Sequence, residues 1–438
     1  MKWLPRTLIA AGLLALLPGK AIAHPAVDGT VAGDEAFYGT ARSIQDTNSQ
    51  YGNATNGDLR YANGGSEIDQ VFAAIAGDRL FVLVAGNLES NFNKLEVFID
   101  SVPGGMNQLV GSNLPAQVDP FCCPGTPPST GALQQMNGLR FDAGFEADRY
   151  LTFSNGNHTF GNPSNSVTTW TLSAFYADLT SGPGGQKSEI GFQYNASGIE
   201  PGLEQGEPID QFNNGCSGPD DTACNPPEHE FAEPVDTVSD PSNTRNHRDL
   251  ANDIDFRMAI NNSNTQGVVF GTGPTGGNPQ DVLTGIEFSV PLTELGSPSG
   301  PIKIAAFINN GPHDFVSNQF AGDGILQGNL GSNLAAINLG NIAGDQSVTV
   351  TLPADFDRDG DVDHTDLSTW ESSFGVDSGG DTNGDGDSNG MDFLNWQQQY
   401  TGVLDPLTFA ETVPEPSIWI SLLIGMMTML CSRDLVVS

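Results

Sequence analysis

The chain has 438 residues, 53 of them Asp or Glu and only 16 Lys or Arg, for a formal charge of −37. Binding a phosphate backbone requires a Lys- or Arg-rich surface, so nucleic acid is excluded as a partner. The same negative field favours hydration and repels anionic polysaccharide unless calcium bridges the two.

The first element in chain order is a leader. Lys2 and Arg6 precede an apolar run from Leu8 to Leu17, then Pro18-Gly19 and the small-residue stretch Ala21-Ile22-Ala23. That order of charge, apolar core and small residues is that of a signal peptide, residues 1–23, cleaved between Ala23 and His24.

Residues 24–351 read as strands and long loops. Segments such as Arg79–Val84, Lys94–Asp100, Gly285–Val290, Ile302–Ile308 and Ser347–Thr351 alternate or run apolar, which is a β pattern. No long amphipathic stretch lies between them, and Gly, Asn, Pro and Ser crowd the connections. The expected class is mainly β, with an antiparallel, jelly-roll-like β-sandwich body. Val27-Asp-Gly-Thr30, Asp78–Val84, Leu95–Asp100 and Ile286–Leu295 follow one another in an order that resembles the family 9-like carbohydrate-binding and DOMON-related sandwich modules. The resemblance implies fold more than ligand, because that sandwich hosts several roles.

Cys122, Cys123, Cys216 and Cys224 lie in Pro- and Gly-rich stretches of the body, an even number in an exported chain. Adjacent cysteines rarely bond each other, so Cys122 and Cys123 are expected to reach Cys216 and Cys224; zinc is the competing use and the spacing matches its ligand patterns poorly. Nucleophile-elbow, zinc-protease, Walker and dinucleotide motifs are all missing. The histidines, among them His158, His229, His247, His313 and His364, stand in polar surroundings and read as surface residues. A glycosidase carboxylate pair depends on spatial separation and stays open. Between residues 24 and 351 the only tryptophan is Trp170, in an alternating strand, so platforms for sugar stacking are few.

Two stretches near the C-terminus carry the clearest chemistry. Asp355, Asp357, Asp359, Asp363 and Asp366 stand at positions 1, 3, 5, 9 and 12 around Gly360 at 6, with Asp361 at 7. Asp381, Asn383, Asp385, Asn389 and Asp392 repeat the spacing around Gly386, with Asp387 at 7. This is a calcium loop written twice, and it predicts two bound calcium ions. Each loop leads into an amphipathic phrase, Asp366-Leu-Ser-Thr-Trp370 and Asp392-Phe-Leu-Asn-Trp396. The half EF-hand used in tandem resembles a type I dockerin over residues 354–402, which implies a small α-helical calcium domain. Cohesin-binding dockerins recognise their partner largely through positions 10 and 11, often Ser-Thr. Here those positions are His364-Thr365 and Gly390-Met391, so cohesin is not the expected partner.

After a linker at 403–412 comes Pro414-Glu415-Pro416, then the apolar run Ile418 to Leu430 and Arg433. This resembles the PEP-CTERM sorting signal of Gram-negative envelope proteins, residues 413–438. It implies processing by an exosortase-type enzyme, a hydrophobic helix held transiently in the inner membrane, and a final place at the outer surface or in the extracellular matrix. Three functions are thereby in view. The expected one is a non-catalytic envelope or matrix protein displaying its sandwich through the calcium module; the alternatives are a carbohydrate-binding protein that takes extracellular polysaccharide and a polysaccharide hydrolase.

Overall fold

The computed structural model describes residues 25–52, 65–110, 114, 118–119, 131–160, 167–180, 189–196, 246–249, 254–264, 278–323, 326, 328–357, 359, 361–383 and 386–400; for 157–160, 167–171, 189–196 and 246–249 it describes the backbone alone. The cleavage pair Ala23-His24, all four body cysteines, Gly360, Asp385 and the Pro414-Glu415-Pro416 element lie outside the described residues.

Within them the chain is mainly β. The strands are β1 (Ser43–Ile44), β2 (Glu67–Ala76), β3 (Arg79–Asn87), β4 (Lys94–Asp100), β5 (Arg149–Phe160), β6 (Val167–Asp178), β7 (Glu189–Ala196), β8 (Asn246–Asp249), β9 (Arg257–Ile260), β10 (Gly285–Pro291), β11 (Ile302–Asn309), β12 (Val316–Phe320) and β13 (Val348–Val350). Helices are few: single turns α1 (Glu35–Tyr38) and α2 (Ala132–Gln135), then α3 (His364–Ser373) and α4 (Gly390–Gln399). One sheet runs β1-β2-β3-β10-β9, and the other runs β12-β11-β4-β5-β6-β7-β8 with β13 on β11. Every pairing is antiparallel except β7 with β8.

Four of the five sequence segments read as strands fall within β3, β4, β10 and β11, and the fifth, Ser347–Thr351, contains the shorter β13, Val348–Val350. β2 and β3 are joined by the two-residue turn Gly77-Asp78, where Gly77 takes φ 56°, a left-handed conformation that a hairpin turn requires and glycine adopts without strain. Trp170 lies in β6, its backbone opposite Asn157 of β5.

Successive side chains along a strand point to opposite faces, and here both faces of each sheet are covered. Val71, Leu80, Val82, Phe288 and Met258 of the first sheet meet Leu95, Val97, Phe153, Ile304 and Ile308 of the second in one apolar interior. Phe72, Phe81 and Leu83 on the first sheet's other face are covered by Val27, Val31 and Tyr38. Phe98, Tyr150 and Phe307 on the second sheet's other face are covered by Leu109, Leu133, Phe141 and Leu339. Strands buried on two sides can run almost continuously apolar, which is why β3 reads Arg-Leu-Phe-Val-Leu-Val with every residue buried.

The central apolar cluster continues through Leu352 and Ala354 to Val362 and Trp396, with Leu367, Phe393 and Tyr400 packed against it. Ala354 N–H also donates to Gln399 Oε1 at 3.0 Å. The two-sheet interior therefore extends across residue 354 into the helical repeat, where the sequence places a domain boundary.

Candidate metal centre

Each acidic loop closes on its own twelfth residue. In the first, Asp366 Oδ1 accepts from the N–H groups of Phe356 (2.6 Å) and Asp357 (3.2 Å), and Oδ2 accepts from Asp363 N–H (2.8 Å). In the second, Asp392 Oδ1 accepts from Thr382 N–H (2.9 Å) and Oδ2 from Asn389 N–H (2.7 Å). Both Asp366 and Asp392 are fully buried. The ninth residue of each loop caps the helix that follows: Asp363 takes Thr365 N–H and Asn389 takes Met391 N–H, so α3 and α4 each begin in a capping box. That box satisfies two of the amide groups that a helix start leaves without partners.

The helices are exchanged between loops. Trp370 Nε1 of α3 donates to the carbonyl of Asn389 in the second loop, and Trp396 Nε1 of α4 donates to the carbonyl of Asp363 in the first, both at 3.0 Å. Trp370 packs against Phe393 with ring centroids 4.8 Å apart, and Phe393 stacks on Trp396 at 5.7 Å. Each loop's ninth residue is thus fixed by the other loop's helix, which ties the geometry of one loop to that of its partner.

The donor atoms suit a hard cation. Asp355, Asp357 and Asp359 each offer a carboxylate oxygen, all within 4.8 Å of one another, and Asp361, Asp363 and Asp366 do the same. Oxygens ligating one calcium at about 2.4 Å are separated by at most about 4.8 Å, so either trio can share an ion. Desolvation, and after it the negative charge of neighbours such as Asp359, push Asp357 and Asp361 above the usual carboxylate range. Asp363 goes the other way, because the Thr365 N–H favours its charged form. In the second loop Asp381 accepts from Asn383 N–H at 3.2 Å and Gly386 N–H at 2.7 Å. Asp387 is exposed beside them.

A second charged cluster, not recognised in the sequence, lies on the outer face of the second sheet. Lys94, Glu96 and Phe98 alternate onto that face of β4. His313 Nδ1 lies 2.6 Å from Glu96 Oε1 and Nε2 lies 3.1 Å from Asp119 Oδ2. Lys94 Nζ donates to the same Asp119 oxygen at 2.6 Å, and Tyr150 OH donates to Glu96 Oε2 at 2.7 Å. His313 is 1% exposed, which corrects its reading as a surface residue. It occupies the turn from β11 to β12 at φ 62°, a left-handed backbone that turns the ring inward.

Burial alone would lower the His313 pKa, but the Glu96 charge and the hydrogen bonds to Asp119 and Glu96 outweigh it and raise the ring above its ordinary value. For Asp119 burial acts upward, while Lys94 and His313 together pull the carboxyl well below its ordinary value. Lys94 and His313 face Glu96 and Asp119, and all four residues are buried, with 13% of the Asp119 side chain still exposed. The arrangement crosslinks β4, β5 and the β11–β12 turn. A histidine 217 residues from one acid and 194 from the other left no sequence signal for it.

On the outer face of the first sheet, Glu287 of β10 accepts from the N–H groups of Asp28 and Gly29, both at 2.8 Å, and from Tyr38 OH at 2.5 Å. Burial pushes Glu287 up to about 7 against the pull of those donors. These bonds pin the N-terminal segment across the sheet.

No protein-family profile, curated protein or solved structure matches the chain.

Proposed function

We propose that the chain is an exported, non-catalytic protein of the cell envelope or extracellular matrix, in which a jelly-roll-like β-sandwich is displayed together with a dockerin-like tandem calcium module. The observation that carries this reading is the pair of reciprocally locked loops: two trios of carboxylates within ligand distance in the first, the same capping geometry in the second, and a tryptophan exchanged between them. Asp355, Asp357, Asp359, Asp361, Asp363 and Asp366 would hold one calcium ion. Asp381, Asn383, Asp385, Asp387, Asn389 and Asp392 would hold the second. The ions supply charge neutralisation to loops whose carboxylates otherwise repel one another.

Because Val362 and Trp396 belong to the buried interior of the body, calcium here sets the shape of the helical pair where it joins the two sheets. Export by the leader and processing at Pro414-Glu415-Pro416 by an exosortase-type enzyme complete the proposal. A glycan-binding role would be favoured by an exposed aromatic platform. Among the described residues the exposed large apolar side chains are Ile44, Val110, Phe374, Val376, Met391 and Leu394, and the single ring among them, Phe374, lies on the helical repeat.

Calorimetric titration of the full mature chain with calcium tests the reading. Asp355→Ala and Asp381→Ala should each abolish one binding event. Titrations unchanged by both substitutions would end the calcium proposal, and sub-micromolar binding of a neutral polysaccharide would replace display with glycan recognition.

A further inference from the structure

The edge where the two sheets meet holds an arrangement unrelated to the C-terminal loops. Residues 45–50 continue from β1 along the start of β2 and are stitched to β12, the edge strand of the other sheet. Gln45 N–H donates to the Asp69 carbonyl at 2.7 Å. The Gln319 side chain spans both partners: Nε2 donates to the Thr47 carbonyl at 2.9 Å and Oε1 accepts from Ile68 N–H at 3.1 Å. Asn318 Nδ2 donates to the Asn48 carbonyl at 2.9 Å. Thr47 is therefore held one amide group away from Ile68, and Asn48 is tied to β12 beside it.

Asp69 is the extra residue of a bulge. The register between β2 and β3 passes from Ile68 opposite Gly86 directly to Gln70 opposite Ala85, leaving Asp69 without a cross-strand partner. Such a bulge re-aims a side chain out of the regular alternation. The Asp69 carboxyl is fully buried, and neither oxygen has a hydrogen-bond partner. Thr47 Oγ1 and Asn48 Oδ1, on residues 3% and 6% exposed, are likewise buried without partners. Four buried acceptor oxygens without a donor, gathered on one short seam, are costly unless something positive sits among them, since an unpaired buried carboxylate loses its hydration without return. Asp46 stands at the solvent side of this seam, and burial, followed by the Asp46 carboxylate, raises the Asp69 pKa.

We propose that Asp69, Asp46, Thr47 and Asn48 form a calcium site at this seam, clamping the edge of the first sheet to β12. The donor set is oxygen only, with two carboxylates and two neutral ligands, which selects a hard divalent cation over a thiophilic or imidazole-seeking metal. Calcium accepts six to eight oxygens in irregular geometry, so backbone carbonyls or water complete the shell. Gln319 and Asn318 act as positioning residues, because their amide donors are already engaged on the carbonyls of Thr47 and Asn48.

The test uses the full mature chain carrying Asp355→Ala and Asp381→Ala, which silence the C-terminal loops. After gel filtration in dilute calcium, elemental analysis should find about one calcium per chain, and EDTA should lower the unfolding temperature of the β body. Adding Asp69→Asn should remove both the ion and the EDTA response. A chain with no calcium overturns the proposal, as does calcium that persists unchanged in the Asp69→Asn variant. Should Asp69→Asn fail to fold, europium bound to the two-loop variant decides by its luminescence lifetime: about three or fewer coordinated waters supports a site walled by protein oxygens, and about seven or more, the count of a loosely held surface ion, overturns it. A loss of calcium from the C-terminal loops alone leaves this seam site intact, so the two proposals fail separately.

Discussion

The C-terminal loops and the His313 cluster both gather carboxylates, and they do so in opposite ways. In the loops the acids follow one another within twelve residues, several are exposed, and their neighbours are backbone amides of the same loop. In the cluster Glu96 and Asp119 are buried and meet His313, about two hundred residues further along the chain, and Lys94 as fixed basic partners. The loops thus keep their negative charge available for a mobile cation. The cluster has spent its charge on side chains that cannot leave.

Breaking the cluster should therefore cost most. His313→Ala leaves Glu96 and Asp119 short of a buried cationic partner and is expected to destabilise the body by about 3–5 kcal/mol in urea unfolding. A cost below about 1 kcal/mol would show that water replaces the ring and that the two regions are alike after all.

Calcium should matter next, and only at the loops and the seam. An ion at a hundredfold excess over its Kd adds about 2.7 kcal/mol to whatever it binds. Chelation is expected to reduce the helical circular-dichroism signal of α3 and α4 and to change Trp396 fluorescence, while the Glu96–His313 contact is unaffected. An unchanged helical signal in EDTA would mean that the capping boxes alone hold the repeat.

The pH response separates the regions further. His313 is held above its ordinary value of 6.5, so its contribution to stability is full below about 6.5 and fades as the pH rises through the folded value. Asp119 is held below its ordinary 3.8, so its contribution is full above about 3.8 and fades as the pH falls. Urea midpoints of the body should accordingly lose a stabilising contribution on either side of that window. His313→Ala should flatten both slopes; slopes that survive the substitution would assign them elsewhere, with Glu287, whose raised carboxyl makes stability fall as the pH rises from about 4.5 to 7 and stay reduced above it, the first group to check.

The smallest effect concerns the helix starts. Asp363→Ala removes the cap of α3 and should cost about 1 kcal/mol in the calcium-free chain. In calcium the same substitution also removes a proposed ligand, so a larger cost there than in EDTA would support the loop assignment.

The strands β3, β4, β10 and β11 could be read from the chain because burial on both faces leaves long apolar runs, and β13, Val-Thr-Val with Thr349 exposed, because it alternates; both signals are carried by neighbouring residues. The short β1 and the polar-flanked β12, with two and five residues, carry no such run, and they are strands because of the edges they complete. The same division governs the sites. Oxygen donors at fixed spacing around a glycine specify a loop by local backbone geometry alone, so the sequence by itself marked out the two acidic loops at residues 355–366 and 381–392 that are proposed to take calcium. The inward turn of His313, its meeting with Glu96 and Asp119, the bulge at Asp69 and the stitching of Thr47 to Gln319 depend on strand register and on which sheet edges adjoin. Those contacts join residues up to about two hundred or more positions apart, and only tertiary packing can bring such groups together and remove the water that would otherwise satisfy them.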